Sequence, residues 1–447
     1  MNYGREFYQM MVRGSEAYAR WDLETSTNIL RSKKRMAVLF LLLLPIILGG
    51  IALASGDGTL PDVLGGKKAY MPSHYTNIIF IASIFVGICA GLITGCIGAG
   101  GGFIIAPALM SVGVKGILAV GTDLFHIFAK AIMGSVLHRK LGNISVPLAG
   151  TFLIGSITGA TLGGMLNRYL YDLNPVLSDL FITSVYVFML GFLSFYAMAD
   201  YLRARKGEAE AGAEQKSGRE EQVAPLGKRL QSIHLPPMLT FDEGVTPGGR
   251  KISAIFLVLS GLIVGLAAAI MGVGGGFLTF PIFVYGLGVS SMTTVGTDIF
   301  QIVFTAGYGS LSQYAFYGFV FYTLAMGMLL GSLVGVQIGS LITKVVPAIM
   351  IRGFFALAVS AGFVNRFFAL PEKLQGLGYI QISKSAGAML STVGNVLFFL
   401  AIGAFAVWVF YVFFTNLKEL RSEHSLSSHD ESNFNNSNLK ELRSEGR

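Results

Sequence analysis

The fold class the sequence predicts is an all-α integral membrane protein, and three observations predict it. Hydrophobic residues make up 53% of the 447-residue chain and charged residues only 13%, whereas soluble domains carry roughly a quarter charged residues. Apolar runs recur at Ala37–Ala54, Ile78–Ile97, Leu180–Met198, Ile255–Met271, Tyr322–Ile342 and Val393–Phe414. Each is long enough, or nearly so, to cross about 30 Å of hydrocarbon as a helix. No strand-like alternation accompanies them, so the spanning elements are expected to be helices rather than a barrel.

The first run follows Arg31, Lys33, Lys34 and Arg35, which places the N-terminus in the cytoplasm by the positive-inside rule. The "ALA" at Ala52–Ala54 resembles a signal-peptidase site. The 35 residues before the run are long and include Glu6, Glu16, Asp22 and Glu24, unlike a short basic leader, so Ala37–Ala54 reads as a retained helix. His138, Arg139 and Lys140, and the polar stretch from Arg203 to Lys251, are also expected inside. The segments Ser55–Tyr75 and Asn167–Asp179 are expected outside. The formal charge of +8 is carried mainly by the polar segments between runs, where it orients the chain, and no nucleic-acid partner is inferred. Cys89 and Cys96 are seven apart on one apolar run and read as small packing residues, not a disulfide framework.

The two halves repeat. "GAGGGFIIAPALMSVGVKGILAVGTDLFHI" from Gly98 aligns with "GVGGGFLTFPIFVYGLGVSSMTTVGTDIFQI" from Gly272 with one inserted residue, and "GSITGATLGGML" from Gly155 matches "GSLVGVQIGSLI" from Gly331. Between the outside segment at Tyr75 and the inside cluster at His138 the chain crosses an odd number of times, so the short piece Gly102–Val112 is expected to be a half-helix. Five segments per repeat, an odd number, insert the copies upside down relative to one another.

The expected division is a cytoplasmic segment (1–36), an extra transmembrane helix and outside loop (37–76), repeat one (77–200), a cytoplasmic loop (201–252), an inverted repeat two (253–368), an outside loop with a last transmembrane helix (369–415), and a disordered cytoplasmic tail (416–447). The tail repeats "NLKELRSE" at Asn416 and Asn438 within Ser/Asn-rich sequence, which cannot bury a core.

Two motifs carry the chemistry. Glycines let helices cross closely, but a triplet that opens both short segments also frees backbone N–H groups at a helix start, where the helix dipole favours an anion. These residues are Gly98, Gly100, Gly101 and Gly102 in the first copy and Gly272, Gly274, Gly275 and Gly276 in the second. A proline follows each triplet and is expected to kink or break the short segment. The second motif, "VGTD" at Val120–Asp123 and Val295–Asp298, reads either as a cap where a helix begins or restarts or as a functional carboxylate at membrane depth. Asp123, His126 and Lys130 fall at i, i+3 and i+7 on one helical stripe. Lys130 is positioned either to neutralise an anion or to pair with Asp123, and His126 to titrate near neutral pH. Asp298, Gln301 and Thr305 stand at the matching positions. Thr122 and Thr297 are candidate hydroxyl donors.

These motifs resemble the TauE/SafE sulfite exporter family, also called TSUP. The resemblance rests on "GCIGAGGGFIIAP" from Gly95 with "AVGTDLF" from Ala119, and on "MGVGGGFLTFP" with "TVGTDIF". It covers about residues 78–342 and implies a bacterial inner-membrane transporter of sulfite, organosulfonates or related sulfur anions. It further implies that Gly98–Gly102, Gly121–Asp123, Gly272–Gly276 and Gly296–Asp298 line the path. The N-terminal helix, the long central loop and the last run depart from the compact family pattern and leave the specific substrate open.

The leading expectation is a secondary transporter, an exporter working by alternating access, with the anion held between paired half-helix N-termini, protons as a coupling ion, the lipid bilayer as environment, and a homodimer left open. A passive anion channel on the same half-helices is the alternative. No cofactor or metal is called for. No enzyme signature stands out: "GYGSLS" at Gly307 lacks the context of a nucleophile elbow, and a thiol enzyme using Cys96 and His126 is the least supported reading.

Overall fold

The computed structural model describes residues 60–69, 76–97, 101–140, 144–210, 225–242, 249–342 and 345–416. The first apolar run Ala37–Ala54 and the tail beyond residue 416 lie outside the described residues, as do Gly98 and Gly100. After two short 3-10 turns, the helices are α1 (Asn77–Ile97), α2 (Gly102–Ser111), α3 (Gly116–Lys140), α4 (Val146–Leu173) and α5 (Pro175–Glu210). A short helix α6 (Pro225–Gln231) and a hairpin of β1 (Met238–Phe241) and β2 (Arg250–Ser253) follow. Then come α7 (Ala254–Met271), α8 (Gly276–Pro281), α9 (Ser291–Tyr308), α10 (Tyr322–Ile342), α11 (Ala348–Gly376) and α12 (Lys384–Thr415).

Seven helices among the described residues are long and apolar enough to cross a membrane: α1, α4, α5, α7, α10, α11 and α12. The protein is an all-α integral membrane protein. α3 and α9 are not among the seven, although the sequence around Ile117–Leu137 reads as a crossing. They carry the polar stripes and lie inside the bundle, where a helix need not face lipid.

Small residues set the packing. α1 lies along α10, and Gly91 is the reason it comes so close: a Cβ there would stand 2.7 Å from the Ser332 carbonyl oxygen. α4 lies along α7 in the same way, with a Cβ on Gly159 standing 2.2 Å from the Leu262 carbonyl oxygen. The repeated glycines of "GSITG" and "GSLVG" are therefore helix-crossing residues, and any larger residue would push the backbones apart. α3 packs on α9 and α5 on α11. Ion pairs join α5 to α11 near both ends, Asp179–Lys373 at 3.2 Å and Asp200–Arg352 at 3.5 Å.

The beginnings of α3 and α9 are held by different partners. The Gly116 N–H donates to Asp179 Oδ1 on α5 at 2.8 Å, and Lys115 Nζ donates to the Tyr171 hydroxyl at the end of α4 at 3.4 Å. At α9 the Ser290 N–H and hydroxyl donate to the Asp242 carboxylate at 2.9 and 2.8 Å, and Arg250 donates to the Gly288 carbonyl at 2.8 Å. Asp242 and Arg250 belong to the hairpin region, so part of the segment read only as a polar loop is folded and docked on the membrane bundle.

Candidate functional site

Both short helices begin at a glycine in left-handed backbone: Gly101 caps α2 with φ +63° and Gly275 caps α8 with φ +92°. No side chain caps either start, so the first N–H groups of each short helix are left without that partner. Left-handed φ is cheap only for glycine, which explains the middle residue of each triplet. The prolines act differently in the two copies. α2 runs through Pro107 to Ser111, whereas α8 stops at Pro281 and continues as a π-turn through Leu287.

The two triplets meet. A Cβ on Gly102 would stand 2.8 Å from Ile127 Cδ1 and 3.2 Å from Val273 Cα, and one on Gly274 would stand 2.7 Å from Ile127 Cγ2. Gly102 and the Val273–Gly274 backbone thus flank Ile127, on the α3 stripe between His126 and Lys130. Gly272 closes α7, its N–H donating to the Ala268 carbonyl, and is packed on the Val120 backbone of the "VGTD" turn of α3.

The "VGTD" segments do not begin helices. Val120–Asp123 lies inside α3 and Val295–Asp298 inside α9, because the starts are fixed four residues earlier by Asp179 and Ser290. The threonines instead serve the opposite half. Thr122 Oγ1 accepts the Phe321 N–H at 2.9 Å, just before α10, and Thr297 Oγ1 accepts the Ser145 N–H at 3.0 Å, just before α4. The capping reading is therefore corrected: the cap is supplied across the two halves, not to the threonine's own helix.

Asp123 and His126 are fully buried. His126 Nε2 meets the Ser332 hydroxyl at 2.7 Å, and its Nδ1 stands 3.8 Å from Asp123 Oδ1. Among the described residues neither oxygen of Asp123 nor His126 Nδ1 has a hydrogen-bond partner. Burial of ionisable groups with so few partners costs free energy and makes Asp123 and His126 the ionisable groups, among the buried polar side chains of the described residues, with atoms that lack hydrogen-bond partners. Lys130 Nζ donates to Thr94 Oγ1 at 2.9 Å, so its direct partner is a hydroxyl of α1 and not Asp123. That hydroxyl lies 2.7 Å from where a Cβ on Gly101 would be, which sets the ammonium beside the N-terminus of α2.

Repeat two satisfies its carboxylate within its own stripe, and the chain of bonds ends on α4. Gln301 Nε2 donates to Asp298 Oδ1 at 2.9 Å, the Thr305 hydroxyl donates to Gln301 Oε1 at 2.7 Å, and Thr305 meets the Ser156 hydroxyl at 2.8 Å. Asp298 Oδ2 stands 2.9 Å from the Cβ position of Gly276. The α8 start faces the Asp298 carboxylate alone, whereas α2 has the Lys130 ammonium beside Gly101 and the Asp123 carboxylate further along, against Ala106. Sequence reasoning found both stripes but missed Thr94, whose role depends on α1 lying beside α3.

Crossing helices, two short helices meeting inside them and a buried polar centre define a multi-pass membrane protein with an internal polar site. The sulfite exporter TauE/SafE family matches residues 83–365, more than half of the chain, and the protein belongs to that family. It is similar to the probable membrane transporter protein YjnA of Bacillus subtilis, 27% identical over 264 residues that cover 58% of this chain and 89% of the relative. YunE of the same organism, also named a probable membrane transporter protein, is 23% identical over 274 residues, 59% of this chain and 89% of the relative. MJ0441 of Methanocaldococcus jannaschii, named likewise, is 25% identical over 207 residues, 44% of this chain and 59% of the relative. No solved structure gives a significant match. The protein is a transporter of a small molecule across a lipid bilayer, and not an enzyme.

Proposed function

We propose that this transporter is a secondary carrier of sulfite or a related small sulfur oxyanion, and that the anion binds at the N-terminus of α2. The observation that carries the site is Lys130, held by Thr94 beside Gly101. An ammonium and a helix start both favour negative charge. The α8 start offers the anion less, because Asp298 already stands against Gly276. The binding site is thus asymmetric: Gly101, Gly102 and Lys130 hold the anion while Gly274, Gly275 and Gly276 form the facing wall. Thr122 and Thr297 cap helices of the opposite halves and are scaffold rather than ligands.

The inverted-repeat reading is supported by the packing. α1 rests on α10 as α7 rests on α4, an exchange of equivalent partners between halves. α3 begins against the end of α4, while Thr297 in the second turn of α9 meets the residue before α4 begins, so the two stripe helices run in opposite directions. Rocking of such halves about the meeting triplets is the alternating-access scheme of repeat-built carriers. Asp123 and His126, buried together with His126 Nδ1 facing the carboxylate at 3.8 Å, are the candidate proton carriers for coupling. The membrane is the bacterial inner membrane, with cytoplasmic termini.

The test is uptake of radiolabelled sulfite or taurine into proteoliposomes. Saturable flux for a sulfur anion supports the reading, and absence of flux for every sulfur anion tried contradicts it.

A further inference from the structure

Arg366 is a charged side chain that the site above does not use. It lies in α11 and is 2% exposed. Its Nε donates to Asn365 Oδ1 at 2.7 Å and its Nη2 to Ser111 Oγ at 2.8 Å. Asn365 Nδ2 in turn donates to Ser111 Oγ at 3.0 Å and to Asn395 Oδ1 of α12 at 2.9 Å. These contacts fix one edge of the guanidinium with neutral groups only. Among the described residues no carboxylate lies within salt-bridge distance of Arg366; the nearby acid, Asp179, is engaged by Lys373 and the Gly116 N–H.

A guanidinium has five N–H donors, and two of them are used. The end-on pair formed by Nη1 and the second Nη2 hydrogen has no protein acceptor among the described residues. That pair is the fork that grips an oxyanion through two parallel bonds. A charge buried at membrane depth without a counter-ion is costly and marks function more often than packing.

Its place in the fold points the same way. Ser111 is the last residue of α2 and Lys130 stands at the first turn, so the two cations bracket a ten-residue helix of about 15 Å. Arg366 lies toward the face that holds Lys115, Asp179 and Lys373, the face away from the Lys130 end of α2.

We propose that Arg366, positioned by Ser111 and Asn365, forms a second oxyanion-binding station on the transport path, from which the anion passes along α2 to Lys130. The path rests on the carrier reading above, whereas the station is a property of Arg366 itself. The experiment is bromide soaking of crystals of the full chain, read by anomalous scattering, together with sulfite flux in proteoliposomes. Wild-type crystals should show a bromide peak within hydrogen-bond reach of the Arg366 Nη atoms. Arg366→Gln should lose that peak while a peak at Lys130 remains, and Asn365→Asp, which keeps the arginine and supplies an internal counter-ion, should lose it too. In flux, both variants should raise the half-saturating sulfite concentration on the Lys115 face by about tenfold, the scale of one charge-assisted hydrogen bond. No peak at Arg366 in the wild type, or a peak that persists in both variants, overturns the station. A peak at Arg366 in a protein that carries no sulfur anion keeps the station and removes the sulfur substrate.

Discussion

The Thr122 hydroxyl accepts the Phe321 peptide N–H at 2.9 Å, so a residue of the first "VGTD" copy holds the start of a helix in the other half. The same bond, from Ser145 to Thr297 at 3.0 Å, runs the opposite way. Thr122→Val keeps the shape and removes the acceptor of a buried hydrogen bond, a loss of about 1 kcal/mol. The variant should melt at a lower temperature in detergent, Thr122→Ser should restore most of the loss, and the half-saturating anion concentration should not change in either. A large affinity change with unaltered melting would make Thr122 a ligand instead.

Lys130 is the positive group nearest the α2 start. Lys130→Gln preserves a donor for Thr94 but removes the charge, and loss of a charge-assisted contact is worth about 1.5–3 kcal/mol. Equilibrium binding of sulfite, followed by calorimetry, should weaken about tenfold or more, and Lys130→Arg should recover part of it. Unchanged affinity in Lys130→Gln would move the anion elsewhere.

Gly101 and Gly113 both have left-handed backbone, with φ +63° and +92°, but different surroundings. A Cβ at Gly101 would lie 2.7 Å from both the Ala90 carbonyl oxygen and the Thr94 hydroxyl, whereas one at Gly113 meets nothing within 4 Å. Alanine at either position carries left-handed strain of about 1–2 kcal/mol. Only Gly101→Ala also displaces Thr94 from Lys130. Thermal melts should show destabilisation in both variants, and binding assays should show weaker anion affinity in Gly101→Ala alone.

His126 is replaced by Gln301 in the second half, where the amide satisfies Asp298 at 2.9 Å. His126→Gln therefore copies an arrangement the fold already accommodates. If the imidazole carries the coupling proton, the variant should still exchange anion across the membrane but should not concentrate it when a pH gradient is imposed. Gradient-driven accumulation at the wild-type level would exclude His126 from coupling.

Much of this was legible in the sequence because the determining signals are local. Apolar runs marked α1, α5, α7, α10 and α12, and the glycine triplets at Gly101 and Gly275 marked the starts of the short helices. The spacing of Asp123, His126 and Lys130 marked one stripe. What stayed hidden depends on contacts distant in sequence. The start of α3 is fixed by Asp179, far downstream, so "VGTD" looked like a helix start when it is helix interior. Thr94 gave no sign that it would hold Lys130. Arg366 sits in an apolar run with no motif around it, and only the packing of α2, α11 and α12 reveals its open edge. The hairpin containing Asp242 was concealed by the polar composition of its surroundings.

The central claim is that a carrier binds a sulfur oxyanion at the α2 N-terminus through Lys130. It is tested most directly by counterflow of radiolabelled sulfite in proteoliposomes containing wild-type protein or Lys130→Gln. The account predicts transient, saturable accumulation of label against unlabelled sulfite in the wild type, and its loss at the same sulfite concentration in the variant. A non-saturating flux without counterflow, or counterflow equal in the two proteins, would contradict it.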